Sequence, residues 1–374
     1  MRLLVCLGLL LTSCFEPVDV GQNDGGRGAG GTGTGGGLAT GGGVAFAGGS
    51  PSGGGPSGGG LTSNVGGGTG RSGFMAGGTG AFGGLDNTSF QKNDRFWLVG
   101  RFQTVEGRIV SDGGLDGWDN YSSAIPSFVS KMSGAVSGDV AYLVGGASGT
   151  GPSDAVFTAS LRDGVLGPYT PARALPLPLQ SHATIVAGGD LIVVGGFGQS
   201  PFTFEHVATV LAARIQPDGS LEPWRTLTPL PSPRAGHAVG VLRDQLYCLG
   251  GENGLDASIP DVVVATLVDG GLGQWRSLPP ITRGRTGHAV FARDENLIVF
   301  GGNAGGVDFF DVQIAEFDGG VLSGWHFGPP MRVTRATPTL VTSGNDLHLL
   351  GGRRDSFLAP ERYLLLPSGE LQRQ

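Results

Sequence analysis

Three arginines and three histidines stand in register along this 374-residue chain, and they are the side chains best placed to do chemistry. Arg234, Arg285 and Arg335 follow one another at intervals of 51 and 50 residues, and His182, His237 and His288 each lie thirteen residues before a Gly pair. Guanidinium groups gathered on one face would suit a carboxylate or an acidic sugar through paired hydrogen bonds. A repeated residue has a second reading, in which each Arg or His satisfies backbone carbonyls of a neighbouring repeat. Both readings lead back to the elements that carry them.

Those elements repeat about every 50 residues. The stretch Arg234 to Trp275 contains one copy: HAVGVL, QLYCLGG and VVVATLV as three short apolar runs, an Asp-Gly turn at Asp269, and a closing segment at Trp275. Short β-branched runs between Gly, Asn and Asp turns are an all-β signature, and a period of this length belongs to a propeller or a solenoid. The second run is the clearest, recurring at 96–100, 141–145, 191–195, 245–250, 296–301 and 346–351. Asp-Gly turns recur at Asp112, Asp163, Asp218, Asp269 and Asp318, with Ser368-Gly369 in the sixth place. An aromatic follows each as Trp118, Tyr169, Trp224, Trp275 and Trp325, in positions expected to pack repeat against repeat. Six units result, of which the first has a polar opening run near Thr88 to Gln91 and the sixth ends at its outer strand.

Apolar run, Gly-Gly and spaced Trp, repeated in register, resemble the kelch motif over 87–374. The resemblance implies a six-bladed β-propeller with four antiparallel strands per blade, and it implies binding through Arg and Ser of the loops that follow the Gly pairs or precede the first strands. One departure is that the family's Tyr before the Trp has no counterpart, since Leu267 and Val268 hold that neighbourhood. Long, varied loops fall on one face and tight turns on the other, and binding usually resides in such loops. Arg353, Arg354, Asp355, Glu252, Asn253 and Asn303 read there as solvated loop residues.

The N-terminus is of another kind. MRLLVCLGLLLTSC combines Arg2 with an apolar run too short to span a bilayer, which reads as an export signal over 1–13. Its Leu11-Thr12-Ser13-Cys14 ending resembles the lipobox of bacterial lipoproteins, which implies acyl chains on Cys14; an ordinary signal peptide cut elsewhere is the alternative. The stretch 14–86 holds most of the Gly excess, 31 of the 73 glycines falling between Gly21 and Gly84. It cannot bury enough apolar surface to order itself and reads as a tether reaching roughly 45 Å. An envelope location on a lipid anchor follows, in the outer membrane or at the cell surface.

The remaining inventory excludes more than it offers. A net charge of -7 with Lys only at positions 92 and 131 leaves no basic stripe for nucleic acid. No paired Cys, His-Glu-x-x-His or calcium loop is present, so no metal or other cofactor is expected; Asp112 in SDGGLDGWDN is accounted for as a turn residue. No G-x-S-x-G elbow is present, and Cys248 inside an apolar run reads as a buried thiol. No catalytic residue is assigned. The leading expectation is a monomeric binding module for a glycan, peptide or envelope protein, acting through its loop face with Arg234, Arg285, Arg335, His182, His237 and His288 as ligand contacts. The alternative is a sugar-modifying enzyme resembling the periplasmic kelch N-acetylneuraminate epimerases, which would require Arg and a titratable group to converge on one substrate atom.

Overall fold

The computed structural model describes residues 80–82, 85–99, 104–121, 130–199, 203–255, 258–352 and 359–374. The expected signal peptide, the anchor at Cys14, nearly all of the tether, and Arg353, Arg354 and Asp355 lie outside them.

Six antiparallel blades of four principal strands follow one another along the described residues, and in the first a further short strand, Gly80–Phe82, pairs with Leu85–Lys92. The fourth shows the pattern: Ala238–Leu242, Gln245–Leu249, Val262–Val268 and Arg276–Leu278, innermost to outermost. Its register runs Val239↔Cys248↔Val263↔Ser277. Innermost strands of the six are Leu85–Lys92, Ser133–Ser137, Ala183–Ala187, Ala238–Leu242, Ala289–Arg293 and Thr339–Ser343. The second strands are Arg95–Val99, Val140–Val144, Asp190–Val194, Gln245–Leu249, Asn296–Phe300 and Asp346–Leu350, within a residue of the apolar runs in the sequence. They are covered on both faces, which is why they read as continuous apolar runs rather than alternating ones. Among the described residues the helical content is one 3₁₀ turn, Arg162–Gly164.

The core is divided among the joints between blades. One apolar cluster joins blades 3 and 4 through Ile185, Val194, Val239 and Cys248; another joins blades 4 and 5 through Tyr247, Val264, Val290 and Val299. The pattern continues round to blades 6 and 1, where Val341 and Leu350 pack with Phe96, Leu98 and Ile109. That last joint closes the ring. It is reinforced by the Gln91 side-chain amide, which accepts from Thr342 N at 2.8 Å and donates to Thr342 O. The polar first strand of blade 1 is thus accounted for: Thr88 and Ser89 are buried, and Gln91 bonds the seam across 251 residues of sequence.

The outer aromatics also bind blade to blade. Indole N–H groups of Trp224, Trp275 and Trp325 donate to the carbonyls of Arg173, Thr228 and Pro279 in the preceding blades, at 3.2, 3.0 and 3.0 Å. The Asp-Gly turns vary more than their sequence does. Asp163 and Gly164 are both left-handed (φ 55° and 71°), whereas in blades 1, 3 and 4 only the Gly is, and in blade 5 the turn is Gly319-Gly320. Asp112 and Asp218 instead use their carboxylates to accept N–H groups two residues on, from Gly114 at 2.8 Å and Ser220 at 2.9 Å.

Candidate functional site

The register residues come together at the joints, inside the protein. Arg234, Arg285 and Arg335 have no exposed surface, and His182, His237 and His288 are 1%, 5% and 2% exposed.

Each arginine fastens two blades. Its backbone carbonyl accepts the N–H of the second glycine in the preceding blade's pair: Gly196 to Arg234 at 2.8 Å, Gly251 to Arg285 at 2.9 Å, Gly302 to Arg335 at 2.8 Å. Its guanidinium donates to the carbonyl of the first glycine in its own blade's pair: Arg234 to Gly250 at 3.3 Å, Arg285 to Gly301 at 2.7 Å, and Arg335 to Gly351. An acid at the start of the third strand balances the charge. Asp261 lies 3.9 Å from Arg234, Asp311 2.7 Å from Arg285, and Glu361 3.1 Å from Arg335. Blade 3 has Leu179 where the arginine would be, with Gly146 N donating to its carbonyl at 2.7 Å, and Thr209 where the acid would be. Charge and countercharge are absent together, because either alone would be a buried or partly buried unpaired ion.

The histidines explain the Gly pairs. The His237 ring edge lies against Gly195 of blade 3 while its Cβ lies against Gly251 of blade 4; His182 does the same with Gly145 and Gly196, and His288 with Gly250 and Gly302. At Gly250 (φ 61°) a Cβ would come within 2.8 Å of both the Arg285 carbonyl and the His288 ring, so glycine is needed for conformation and for closeness. Blade 6 puts Pro338 in the histidine's place, against Gly352. The imidazoles lie near the carbonyls of Val144, Val194 and Leu249 without meeting hydrogen-bond geometry, and their nitrogens have no partner. Burial holds all three neutral, lowering His182 to about 4 and His288 to about 3; His237 is lowered well below its usual value, by burial first and then by Arg234 and the other two rings. Cys248 is enclosed in the apolar cluster between blades 3 and 4, and burial raises its thiol to about 11. Among the described residues no group of His, Cys, Asp and Glu is arranged to hold a metal ion.

Exposed chemistry lies further out, on the loops after the Gly pairs. In blade 3 this loop forms a hairpin, Phe197–Gln199 with Phe204–His206. The Phe197 and Phe204 rings stack at 6.3 Å with 4° between planes, and His206 meets Phe197 edge-on at 5.2 Å. This hairpin leans on both neighbours: Phe204 lies against Gly151 of blade 2, and His206 lies against Gly254 of blade 4 with its Nε2 3.5 Å from Glu252. In blade 5 Asn303 bonds Asp308 at 2.7 Å, and Arg283 and Arg285 both sit over the Phe309 ring, at 5.0 and 4.9 Å. Large apolar side chains on this face are open to solvent: Phe204 at 51%, Leu255 at 93%, Val307 at 61%, Phe310 at 53% and Val333 at 40%. The repeat pattern is silent about them, since a residue that occurs once in one loop has no register partner. The acids Asp261, Asp311 and Glu361 do carry a signal, a spacing of 50 and 50 residues beside the 51 and 50 of the arginines.

No family model matches the chain. Over 190 residues it is 26% identical to Kelch-like protein 26 of Danio rerio, an alignment covering 49% of this chain and 30% of that protein. It is 27% identical over 190 residues to beta-scruin of Limulus polyphemus, covering 49% and 20%, and 30% identical over 165 residues to Kelch-like protein 33 of Homo sapiens, covering 44% and 29%. The matched region thus spans less than a third of each of these relatives. In three dimensions the chain resembles the solved structure of YjhT with a TM-score of 0.63 at 15% identity, over 79% of this chain and 99% of that one.

Proposed function

From a chain whose repeats fold as a kelch-type β-propeller, we propose that it works as a rigid display scaffold: a lipid-anchored envelope protein that binds a protein or peptide partner through the loops of blades 3 to 6. The observation that carries this reading is the exposure of Phe204, Leu255, Val307, Phe310 and Val333 on one face. Large apolar side chains left open to solvent on varied loops are a feature of interaction surfaces; on the opposite turns the exposed ones are the smaller Val165, Val268 and Val321. The buried arginines and histidines serve as the frame beneath that surface, and the sugar-modifying alternative loses support because these residues do not open onto a cleft.

Replacing Phe204, Leu255 and Phe310 together with Asp is expected to abolish partner capture from envelope extracts while moving the melting temperature by less than about 2 °C, since exposed substitutions change stability little. Equal capture by the triple variant and its parent would end the loop-face reading. The anchor is tested separately. Cys14→Ala is expected to move the protein from the membrane to the soluble fraction with loss of acyl mass, and unchanged fractionation removes the anchor from the proposal. The anchor rests on the Leu11-Thr12-Ser13-Cys14 sequence and on the affinity that several acyl chains supply.

A further inference from the structure

The face opposite the loops carries short turns, yet it contains a cavity of about 280 Å³ between blades 4 and 5. Its lining includes Arg243 and Asp244 from one turn, Asp294 and Glu295 from the next, Tyr247 below them, and Phe317 at the side. The corresponding seam between blades 2 and 3 is sealed. There the Tyr142 hydroxyl donates to the Gly219 carbonyl at 2.8 Å, and Val140 packs against the same glycine. By register Tyr247 corresponds to Tyr142, Gln245 to Val140 and Gly320 to Gly219. In seam 4/5 the Tyr247 hydroxyl turns to Gln245 Oε1 at 3.0 Å, and Gly320 lies against Arg243. The space that a tyrosine closes in one seam is left open in the other.

The backbone at its mouth supports a dedicated role. Arg243 and Asp294 hold left-handed conformations, φ 55° and 57°. At the same turn position blades 2, 3 and 6 have Gly138, Gly188 and Gly344, at φ 56°, 59° and 57°. Blade 1 has Asn93 there, at φ 55°; keeping a side chain as long as that of Arg243 where glycine or asparagine serves costs conformational energy, and such strain gathers where side chains have work to do.

The lining specifies the visitor's charge. Three carboxylates, Asp244, Asp294 and Glu295, offer negative charge, and Arg243 at the mouth and Arg276, 3.4 Å from Gln245 beneath it, offer positive charge. A molecule bearing both charges meets both sets. Among the described residues the Arg243 guanidinium pairs with Glu295, the two side chains being 55% and 72% exposed, so it can change partner at little cost. We propose that this cavity binds a free α-amino acid, its carboxylate between Arg243 and the Tyr247 hydroxyl, its ammonium on the rim carboxylates, and its side chain against Phe317 and Leu242. The volume leaves room for a side chain of leucine or phenylalanine size. The site is independent of the loop face, so either proposal can fail without the other.

The test is isothermal titration of the full chain with leucine, phenylalanine and the other amino acids up to 10 mM, followed by the amide and the N-acetyl derivative of the best binder. Saturable binding of an apolar amino acid is expected, weakened at least tenfold by removing either charge. Arg243→Gly supplies the glycine of the other turns and is expected to fold at least as stably while losing at least tenfold in affinity. No binding at 10 mM, equal binding of the derivatives, or undiminished affinity in Arg243→Gly would each overturn the assignment.

Discussion

Arg335→Ala is expected to cost about 3–5 kcal/mol of unfolding free energy, the usual consequence of stranding one partner of a buried ion pair. Its side chain is 1% exposed and that of Glu361 is 5%. Arg335 Nε and Nη2 reach Glu361 Oε1 at 3.2 and 3.1 Å, Nη2 also donates to the Ala359 carbonyl at 2.6 Å, and Nη1 donates to Gly351. The other carboxylate oxygen accepts from Arg332 N at 2.7 Å, so the acid is anchored and cannot swing out to water when its partner goes. A graded series should follow. Arg285→Ala loses a pair whose acid is 18% exposed, and Arg234→Ala loses one at 3.9 Å whose acid is 56% exposed, so destabilisation should fall in the order Arg335, Arg285, Arg234. Glu361→Gln in the Arg335→Ala background should recover part of the loss, because the stranded charge is then gone. Denaturant unfolding of the four variants decides the matter, and a loss below about 1 kcal/mol for Arg335→Ala would contradict the fastening role.

Acid should open the propeller well before its carboxylates titrate. Four histidines are buried with lowered pKa values: His182 and His348 to about 4, His288 to about 3, and His237 well below its ordinary range, burial being the leading cause in each. In the unfolded chain a histidine titrates near 6.5. Above that pH the rings are neutral in both states and contribute no pH dependence. As pH falls from about 6.5 toward 4 the unfolded chain binds protons that the folded one refuses, and each ring removes about 1.4 kcal/mol per pH unit. For the three rings enclosed between Gly pairs the loss is about 4 kcal/mol per unit, comparable with the whole stability of many domains within two units. Denaturation midpoints at pH 7, 6 and 5 should show a steep fall between the last two. His288→Gln should lower stability at pH 7 yet flatten that fall by about one proton. A flat profile from pH 6 to 5, or an unchanged slope in the variant, would remove the buried rings as its cause.

Much of the fold was legible in the residues, and the reason is repetition. Six apolar runs ending in glycine state the same local problem, and the structure solves it the same way, with second strands within a residue of the runs; the five Asp-Gly turns recur in place but differ in conformation. The candidate site was less legible. Register showed that Arg234, Arg285 and Arg335 are equivalent, but equivalence carries no information about depth, and a residue repeated round a ring serves a joint as readily as a ligand. Phe204, His206 and Leu255 left no trace in the period because each occurs once, in a loop whose path depends on its neighbours.

Blade count, strand order and the need for glycine at each pair were determined by the sequence itself, because hydrophobic periodicity and turn chemistry act over a few residues and are written where they act. Tertiary structure alone decided which atoms meet across blades. It set the arginines on their glycine carbonyls and acids, wedged the histidines between successive pairs, brought Gln91 to Thr342 to close the ring, and left one seam open beside Tyr247 where its counterpart is sealed. These outcomes depend on distances of a few tenths of an ångström between segments from 16 to 251 residues apart, and no local pattern encodes them.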